Sequence, residues 1–161
     1  MESRILIAKE GKQFYVKDVG KDLHTQFGFI KSKDLKKKKG TVKTNTGKEF
    51  FIFPADFIDK FKRIKRGAQI ITLKDAGVII TETGVNKDSK VLDAGGGSGA
   101  LACILGNITK QAITYEIRKE FVKIIKENIK NLDLKNVSVK NKDVTKGISE
   151  KNLDLIVLDM P

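Results

Sequence analysis

Ser89-Lys90-Val91-Leu92-Asp93-Ala94-Gly95-Gly96-Gly97-Ser98-Gly99 is the stretch whose reading decides the fold of this chain. Val91 and Leu92 are apolar strand residues, and Asp93 stands where that strand ends. Gly95, Gly97 and Gly99 permit a tight turn into a helix predicted over residues 98–107. Outward from this point the pattern repeats. A second strand over 111–117 carries Glu116 near its end, and a helix over 118–131 puts Phe121, Ile124, Ile125 and Ile129 on one face. A third strand over 137–142 is followed by Asp143, and a fourth over 153–158 delivers Asp159-Met160-Pro161. This alternation predicts a doubly wound, Rossmann-like α/β sheet, present through its first four strands.

Four successive strands therefore end on a carboxylate: Asp93, Glu116, Asp143 and Asp159. In an open parallel sheet the ligand crevice lies outside those ends. Taken singly, each acid could simply cap the helix that follows; with the glycine loop, the set points to a ligand site. Asp93 bears on which ligand. A dinucleotide would bring its pyrophosphate to the loop, where a carboxylate repels it. S-adenosylmethionine (SAM) brings an ammonium and a sulfonium, which a carboxylate attracts. Glu116, 23 positions after Asp93, is placed to accept hydrogen bonds from both ribose hydroxyls. The glycine N–H groups and the helix start are expected to approach the cofactor.

Of the 161 residues 40% are hydrophobic, enough for a packed core in one domain or two small ones. The single cysteine, Cys103, lies among apolar helix residues, so no disulfide framework forms and a reducing cytoplasm is the expected setting. The single histidine, His24, has no Cys or His companion and argues against a zinc site. No apolar run reaches membrane-spanning length, and the N-terminus does not read as a signal peptide. Charge is uneven. Residues 1–66 carry 18 Lys and Arg against 8 Asp and Glu, whereas 67–161 carry 14 against 12. The basic excess of the first part suits a polyanionic partner, or a lysine-rich solvated surface.

That first part reads as short β segments over 4–9, 13–17, 23–30, 41–44 and 49–53, with Glu10-Gly11-Lys12 as a hairpin turn. A small barrel-like β domain follows from this spacing. Lys36, Lys37, Lys38 and Lys39 form a loop that, taken alone, reads as solvated. A helix over 55–66, with Phe57, Ile58, Phe61 and Ile64 on one stripe and Gly67 to end it, is expected to connect domains 1–66 and 67–161. A further helix over 74–84 is expected to bury Ala76, Val78, Ile79 and Ile80. The last strand is apolar apart from Asp154, as in a strand buried on both faces, yet the sequence stops three residues later. The chain therefore reads as interrupted, with an apolar edge exposed.

With these residues laid out, the chain resembles the SAM-dependent tRNA (adenine-N1)-methyltransferases of the T-loop, in their single-gene archaeal branch. Phe50-Phe51-Ile52-Phe53, Lys65-Arg66-Gly67-Ala68-Gln69-Ile70-Ile71 and Lys74-Asp75-Ala76-Gly77 look like that family's link between barrel and catalytic domain. The segment 91–99, Tyr115-Glu116-Ile117-Arg118 and Asp159-Met160-Pro161 look like its cofactor loop, ribose acid and catalytic-strand motif. The glycine loop is shared by methyltransferases at large; the linking segments are narrower. Thr72-Leu73 departs from the family's Tyr-Pro, and the family's domain continues through three more strands.

The resemblance implies a homotetramer acting on tRNA, and the basic excess that includes Lys36 to Lys39 with Arg63, Lys65 and Arg66 is then expected to bind it. The resemblance also implies a cofactor site of Gly95, Gly97, Ser98 and Gly99, with Asp93 near the methionine end, Glu116 on the ribose and Asp143 on the adenine amino group. Gln69 flanks the cofactor, or is only a polar residue at a helix end; Asp143 equally suits the cap of a short helix. Asp159 is the expected catalytic residue, accepting a hydrogen bond from the target adenine's exocyclic amine, and no metal is needed. Two other readings stand beside this one: a Rossmann methyltransferase acting on another substrate, such as a protein carboxylate or a corrin precursor, and a non-catalytic RNA-binding remnant.

Overall fold

The computed structural model describes residues 2–67 and 70–160. It separates into two compact units, Met1–Lys62 and Arg63–Pro161.

In the first unit, β1 (Arg4–Ile7) pairs antiparallel with β2 (Gln13–Val16) across the 10–12 turn. The expected run over 23–30 divides at its turn into β3 (Leu23–Thr25) and β4 (Gly28–Ile30), a hairpin of its own. A short helix, α1 (Ser32–Leu35), precedes the lysine loop. β5 (Gly40–Lys43) and β6 (Glu49–Pro54) complete a four-stranded sheet in the order β2-β1-β6-β5. The hairpin is tied to the β5–β6 turn, where Asn45 Oδ1 accepts from Phe29 N–H at 2.8 Å and Thr46 Oγ1 donates to the Phe27 carbonyl at 2.6 Å. Leu6, Ile30, Leu35, Phe50 and Ile52 form the core. Alternation along β6 fixes which aromatics are inside: Phe50 is buried, while Phe51 and Phe53 face out.

The expected helix over 55–66 is shorter, α2 (Phe57–Phe61). Asp56 and Asp59 close a capping box at its start. Beyond Lys62 the backbone takes side-chain partners in place of helical ones. Asn128 Oδ1 accepts from Lys65 N–H at 2.8 Å, Asn128 Nδ2 donates to the Lys65 carbonyl at 2.9 Å, and Ser98 Oγ accepts from Gly67 N–H at 2.9 Å.

The second unit begins its regular structure with α3 (Leu73–Thr83), capped by Thr72 and closed by Gly84 in the left-handed region. Of its apolar residues only Ala76 is buried, and Val78 is 51% exposed, against the expectation of a buried face. β7 (Lys90–Ala94), β8 (Gln111–Tyr115), β9 (Val137–Lys140) and β10 (Leu155–Leu158) form one parallel sheet in the order β10-β7-β8-β9. β7 and β8 are joined through α4 (Ala100–Gly106), and β8 and β9 through α5 (Lys119–Asn131). α4 starts and ends inside the expected 98–107, and every one of its residues is buried. Leu92, Ala94, Ile113 and Tyr115 pack against Val144, Ile148 and Leu153 on one face of the sheet. Val91, Asp93, Ala112 and Thr114 therefore point to the other face. The last strand is not buried on both faces. β10 lies at the sheet edge, with Ile156 and Leu158 exposed.

Candidate functional site

The carboxyl ends of the parallel strands bring Asp93, Glu116, Asp143 and Asp159 to one edge of the second unit. A cavity of about 420 Å³ is lined by Gly95, Tyr115, Glu116, Ile117, Arg118, Asp143, Val144 and Met160, among others. Beside it lies a second cavity of about 660 Å³, shared by Gly95, Gly97, Arg118, Asp159 and residues of 70–79. A narrow space of about 30 Å³ lies between Asp93, the glycine loop, Leu101 and Asp159.

Asp93 is 2% exposed and accepts a hydrogen bond from Thr114 Oγ1 at 2.8 Å. Burial pushes its carboxyl up to about 7; the Thr114 bond works against that, and the charges of Asp159 and Glu116 add to it. Glu116 is also enclosed, but it is fully bonded. Its Oε2 accepts from Gly97 N–H at 2.7 Å, and its Oε1 from Arg118 N–H at 2.9 Å. The Arg118 guanidinium adds Nε–H to Oε1 at 3.0 Å and Nη2–H to Oε2 at 3.3 Å. Burial alone would raise this carboxyl, yet the bonds from Arg118 and Gly97 outweigh it and hold Glu116 below the ordinary carboxylate range.

The glycine loop departs from expectation in what its N–H groups do. Gly95 and Gly96 donate to the Tyr115 carbonyl at 3.1 and 3.0 Å, Gly97 donates to Glu116, and Gly99 donates to the Gly96 carbonyl at 2.6 Å. The first three donors bind the loop to the end of β8, the Gly99 donor closes the loop on itself, and none of the four is left for a ligand. What the glycines supply is room. Gly95 has φ +91° and a Cβ there would collide with the Asp159 carbonyl, while a Cβ on Gly96 would lie 2.5 Å from Thr114 Oγ1. Ser98 is buried, and its Oγ serves Gly67 N–H.

Asp143 realises the capping alternative: its Oδ1 accepts from Thr145 N–H at 2.9 Å and Thr145 Oγ1 at 2.6 Å, at the start of a single 3₁₀ turn over Val144–Lys146. Those bonds lower its pKa. Both fall on Oδ1, and the residue still lines the first cavity. Asp159 is exposed; its N–H continues the β10–β7 ladder to the Ala94 carbonyl at 3.0 Å. Gln69 lies outside the described residues.

The basic candidates divide between the two units. The backbone of the Lys36–Lys39 loop is fixed by buried Arg4, whose Nε donates to the Lys37 carbonyl at 2.8 Å and Nη2 to the Lys36 carbonyl at 3.3 Å. Arg63, Lys65 and Arg66 belong to the second unit, and Lys65 pairs with Glu127.

Sequence reasoning missed Thr114, Arg118, Asn128 and Asn141. Asn141 Nδ2 donates to the Glu116 and Ile117 carbonyls at 2.7 and 2.9 Å, fixing the turn after β8. A signal for Asn128 was available: it is a polar residue on the apolar stripe of α5, one turn after Ile124 and Ile125.

These residues fit an adenosyl cofactor. The first cavity has the size of a nucleoside site and apolar walls from Ile117, Val144 and Met160, with Glu116 and Asp143 on its lining. The narrow space carries two carboxylates for a cationic group.

Comparison with known proteins agrees. The family model of protein-L-isoaspartate(D-aspartate) O-methyltransferase (PCMT) matches residues 28–157. The chain is 32% identical, over 98% of its length and 66% of the relative's, to the tRNA (adenine(57)-N(1)/adenine(58)-N(1))-methyltransferase TrmI of Methanocaldococcus jannaschii. Among solved structures, a SAM-dependent O-methyltransferase from Thermotoga maritima superposes with a TM-score of 0.86 at 29% identity, covering 99% of this chain and 63% of that one. The tRNA (m1A58) methyltransferase TrmI of Aquifex aeolicus gives a TM-score of 0.71 at 25% identity, covering 92% and 59%. The chain thus spans somewhat less than two thirds of the length of these relatives. It belongs to the methyltransferase family that the PCMT model describes.

Proposed function

We propose that this methyltransferase fold acts on tRNA, placing a methyl group on N1 of a T-loop adenine. The observation that carries the reading is the convergence of Asp93, Glu116, Asp143 and Asp159 on adjoining cavities, with the Asp159 carboxylate exposed beside the larger one. The likeness to the TrmI proteins supports the substrate class, as does the basic excess of residues 1–66.

When bound, the cofactor supplies an electrophilic methyl group on a sulfonium. The chain's own part is to bind, orient and stabilise. Asp93 offers a buried carboxyl whose ionised form the cofactor's cationic end favours, Glu116 accepts from the ribose, and Asp143 lies on the wall of the nucleoside cavity. Asp159 accepts a hydrogen bond from the target's exocyclic amine. That raises electron density at N1 and stabilises the positive charge the base acquires, an effect larger in the transition state than before it. The target base is stacked in folded tRNA and must leave the stack to reach the carboxylate. By the same resemblance the proposed source is archaeal and the proposed assembly a homotetramer, and the single cysteine supports a reducing cytoplasm as the proposed setting.

The PCMT model favours a second reading, methyl transfer to a protein carboxylate. That model starts at residue 28, so residues 1–27 of the basic first unit lie outside it.

The test is mass analysis of tRNA nucleosides after incubation of the protein with SAM, alongside calorimetry with S-adenosylhomocysteine. We expect 1-methyladenosine, lost in Asp159→Ala with cofactor binding retained. Glu116→Ala should weaken cofactor binding by about 1.5–3 kcal/mol, the worth of a hydrogen bond to a charged group. Methylation of isoaspartyl peptide and not of tRNA would favour the second reading.

A further inference from the structure

The acid expected to hold the cofactor ribose has its acceptor capacity already filled, and half of the filling is a side chain. A carboxylate has about four lone-pair sites. On Glu116 two go to backbone N–H groups, of Gly97 and Arg118, and two to the Arg118 guanidinium. The backbone donors are built into the loop after β7 and the turn after β8. The guanidinium donors are not. Arg118's side chain is 48% exposed, against 2% for Glu116, and its guanidinium rests on the Phe121 ring at 3.9 Å from the centroid. Arg118 lines both the nucleoside-sized cavity and the larger one that holds Asp159, so it has open space to move into without passing through the protein.

We infer that Arg118 is an internal occupant of the ribose subsite: its two guanidinium N–H donors hold the places on Glu116 that the two ribose hydroxyls of the cofactor take. Ribose offers two O–H donors on adjacent carbons, the number and spacing that the Nε–H and Nη2–H fork supplies. The exchange keeps Glu116 fully bonded in both states, so the enclosed carboxylate is never left unpaired, which would be the costly alternative. Arg118 therefore sets the affinity of the subsite by competition. A ligand without ribose hydroxyls has no donors to make the exchange and leaves the guanidinium in place.

This rests on the adenosyl-cofactor reading, and the experiment separates the two. Calorimetry is run on the whole chain, wild type, Arg118→Ala and Arg118→Gln, with S-adenosylhomocysteine and with its 2′,3′-dideoxy analogue. Removing a half-exposed competitor should tighten S-adenosylhomocysteine binding about two- to fivefold in both variants, the scale of a partly exposed ion pair. The dideoxy ligand should bind all three proteins alike. The Arg118 Nε–H resonance of the wild type should move on addition of S-adenosylhomocysteine and not of the dideoxy ligand. Equal or weaker S-adenosylhomocysteine binding by both folded variants, or an unmoved Nε–H resonance, overturns the exchange while leaving the cofactor reading intact. No binding of S-adenosylhomocysteine by the wild type overturns both.

Discussion

At the scale of single residues, Asp93 departs furthest from ordinary behaviour. A carboxyl that titrates near 7 in the folded chain and near 3.8 when unfolded stays protonated in the fold while the unfolded chain gives up its proton. Its stabilising contribution is therefore complete below about 4 and is lost as pH rises toward 7, at about 1.4 kcal/mol per pH unit. Glu150 acts in the opposite sense. Burial would raise it, but its bonds to Lys140 and Tyr115 bring it down to about 2, so its contribution is present above its ordinary 4.5 and lost as pH falls toward 2. The two windows meet near pH 4, and comparison with Asp93→Asn isolates the first. Urea unfolding between pH 4 and 7 should show the wild type losing stability relative to Asp93→Asn steadily with pH. A constant difference would mean that Asp93 is ionised in the fold throughout. The acidic residue was legible in the sequence from its place at a strand end; its perturbation was not. That comes first from burial on the sheet face that the apolar α4 covers, and then from the charges of Asp159 and Glu116, with the Thr114 bond opposing it; only the folded sheet creates these surroundings.

At the scale of elements, regular periodicity was easy to read and one-sided burial was not. The four parallel strands and the helices between them follow from runs such as Val91-Leu92 and the Phe121, Ile124, Ile125 stripe. β10 and α3 are less buried than their apolar composition implies, because composition alone does not say what covers a face. An exposed apolar edge at β10 was expected from the sequence, and Ile156 and Leu158 form it; the exposure of Val78 carries no such mark. The helix expected through residue 66 ends at Phe61, where the segment that follows gains better partners. Asn128, fully buried on α5, serves the Lys65 N–H, the Lys65 carbonyl and the Ser98 carbonyl with one amide. It thereby holds the segment before α3 and the glycine loop to a single helix face. Asn128→Leu, of similar size, should leave those three backbone groups without their partner, at about 1–3 kcal/mol for each one that stays buried. Hydrogen exchange should then show faster exchange at Lys65 N–H than in the wild type. Unchanged exchange and stability together would show that this amide does not anchor the segment.

At the scale of the whole molecule, charge is the property with no counterpart in any one element. The chain carries a net charge of +12, and most of the excess lies in residues 1–66. Local pairing accounts for part of the surface: Lys43 with Glu49 and Lys48 with Glu10 are exposed pairs of the kind that contribute little to stability. The Lys36–Lys39 loop differs. Arg4 fixes the Lys36 and Lys37 carbonyls, so the first half of this exposed strip is held and not loose, and Lys37 Nζ donates to the Thr41 carbonyl at 3.4 Å. A held strip can meet phosphates without first losing much conformational freedom, whereas a solubilising surface needs no such anchor. The two readings of the basic excess differ in a measurable slope. If the loop meets tRNA phosphates, replacing Lys36, Lys37, Lys38 and Lys39 together by Gln should flatten the plot of log affinity against log salt concentration, by about 0.7–0.9 for each phosphate that is no longer neutralised. Binding should also weaken at every salt concentration within the range measured, while S-adenosylhomocysteine affinity is unchanged because that site lies in the other unit. An unaltered slope in the quadruple variant would assign these lysines to solvation and leave the salt dependence, if any, to Arg63, Lys65 and Arg66.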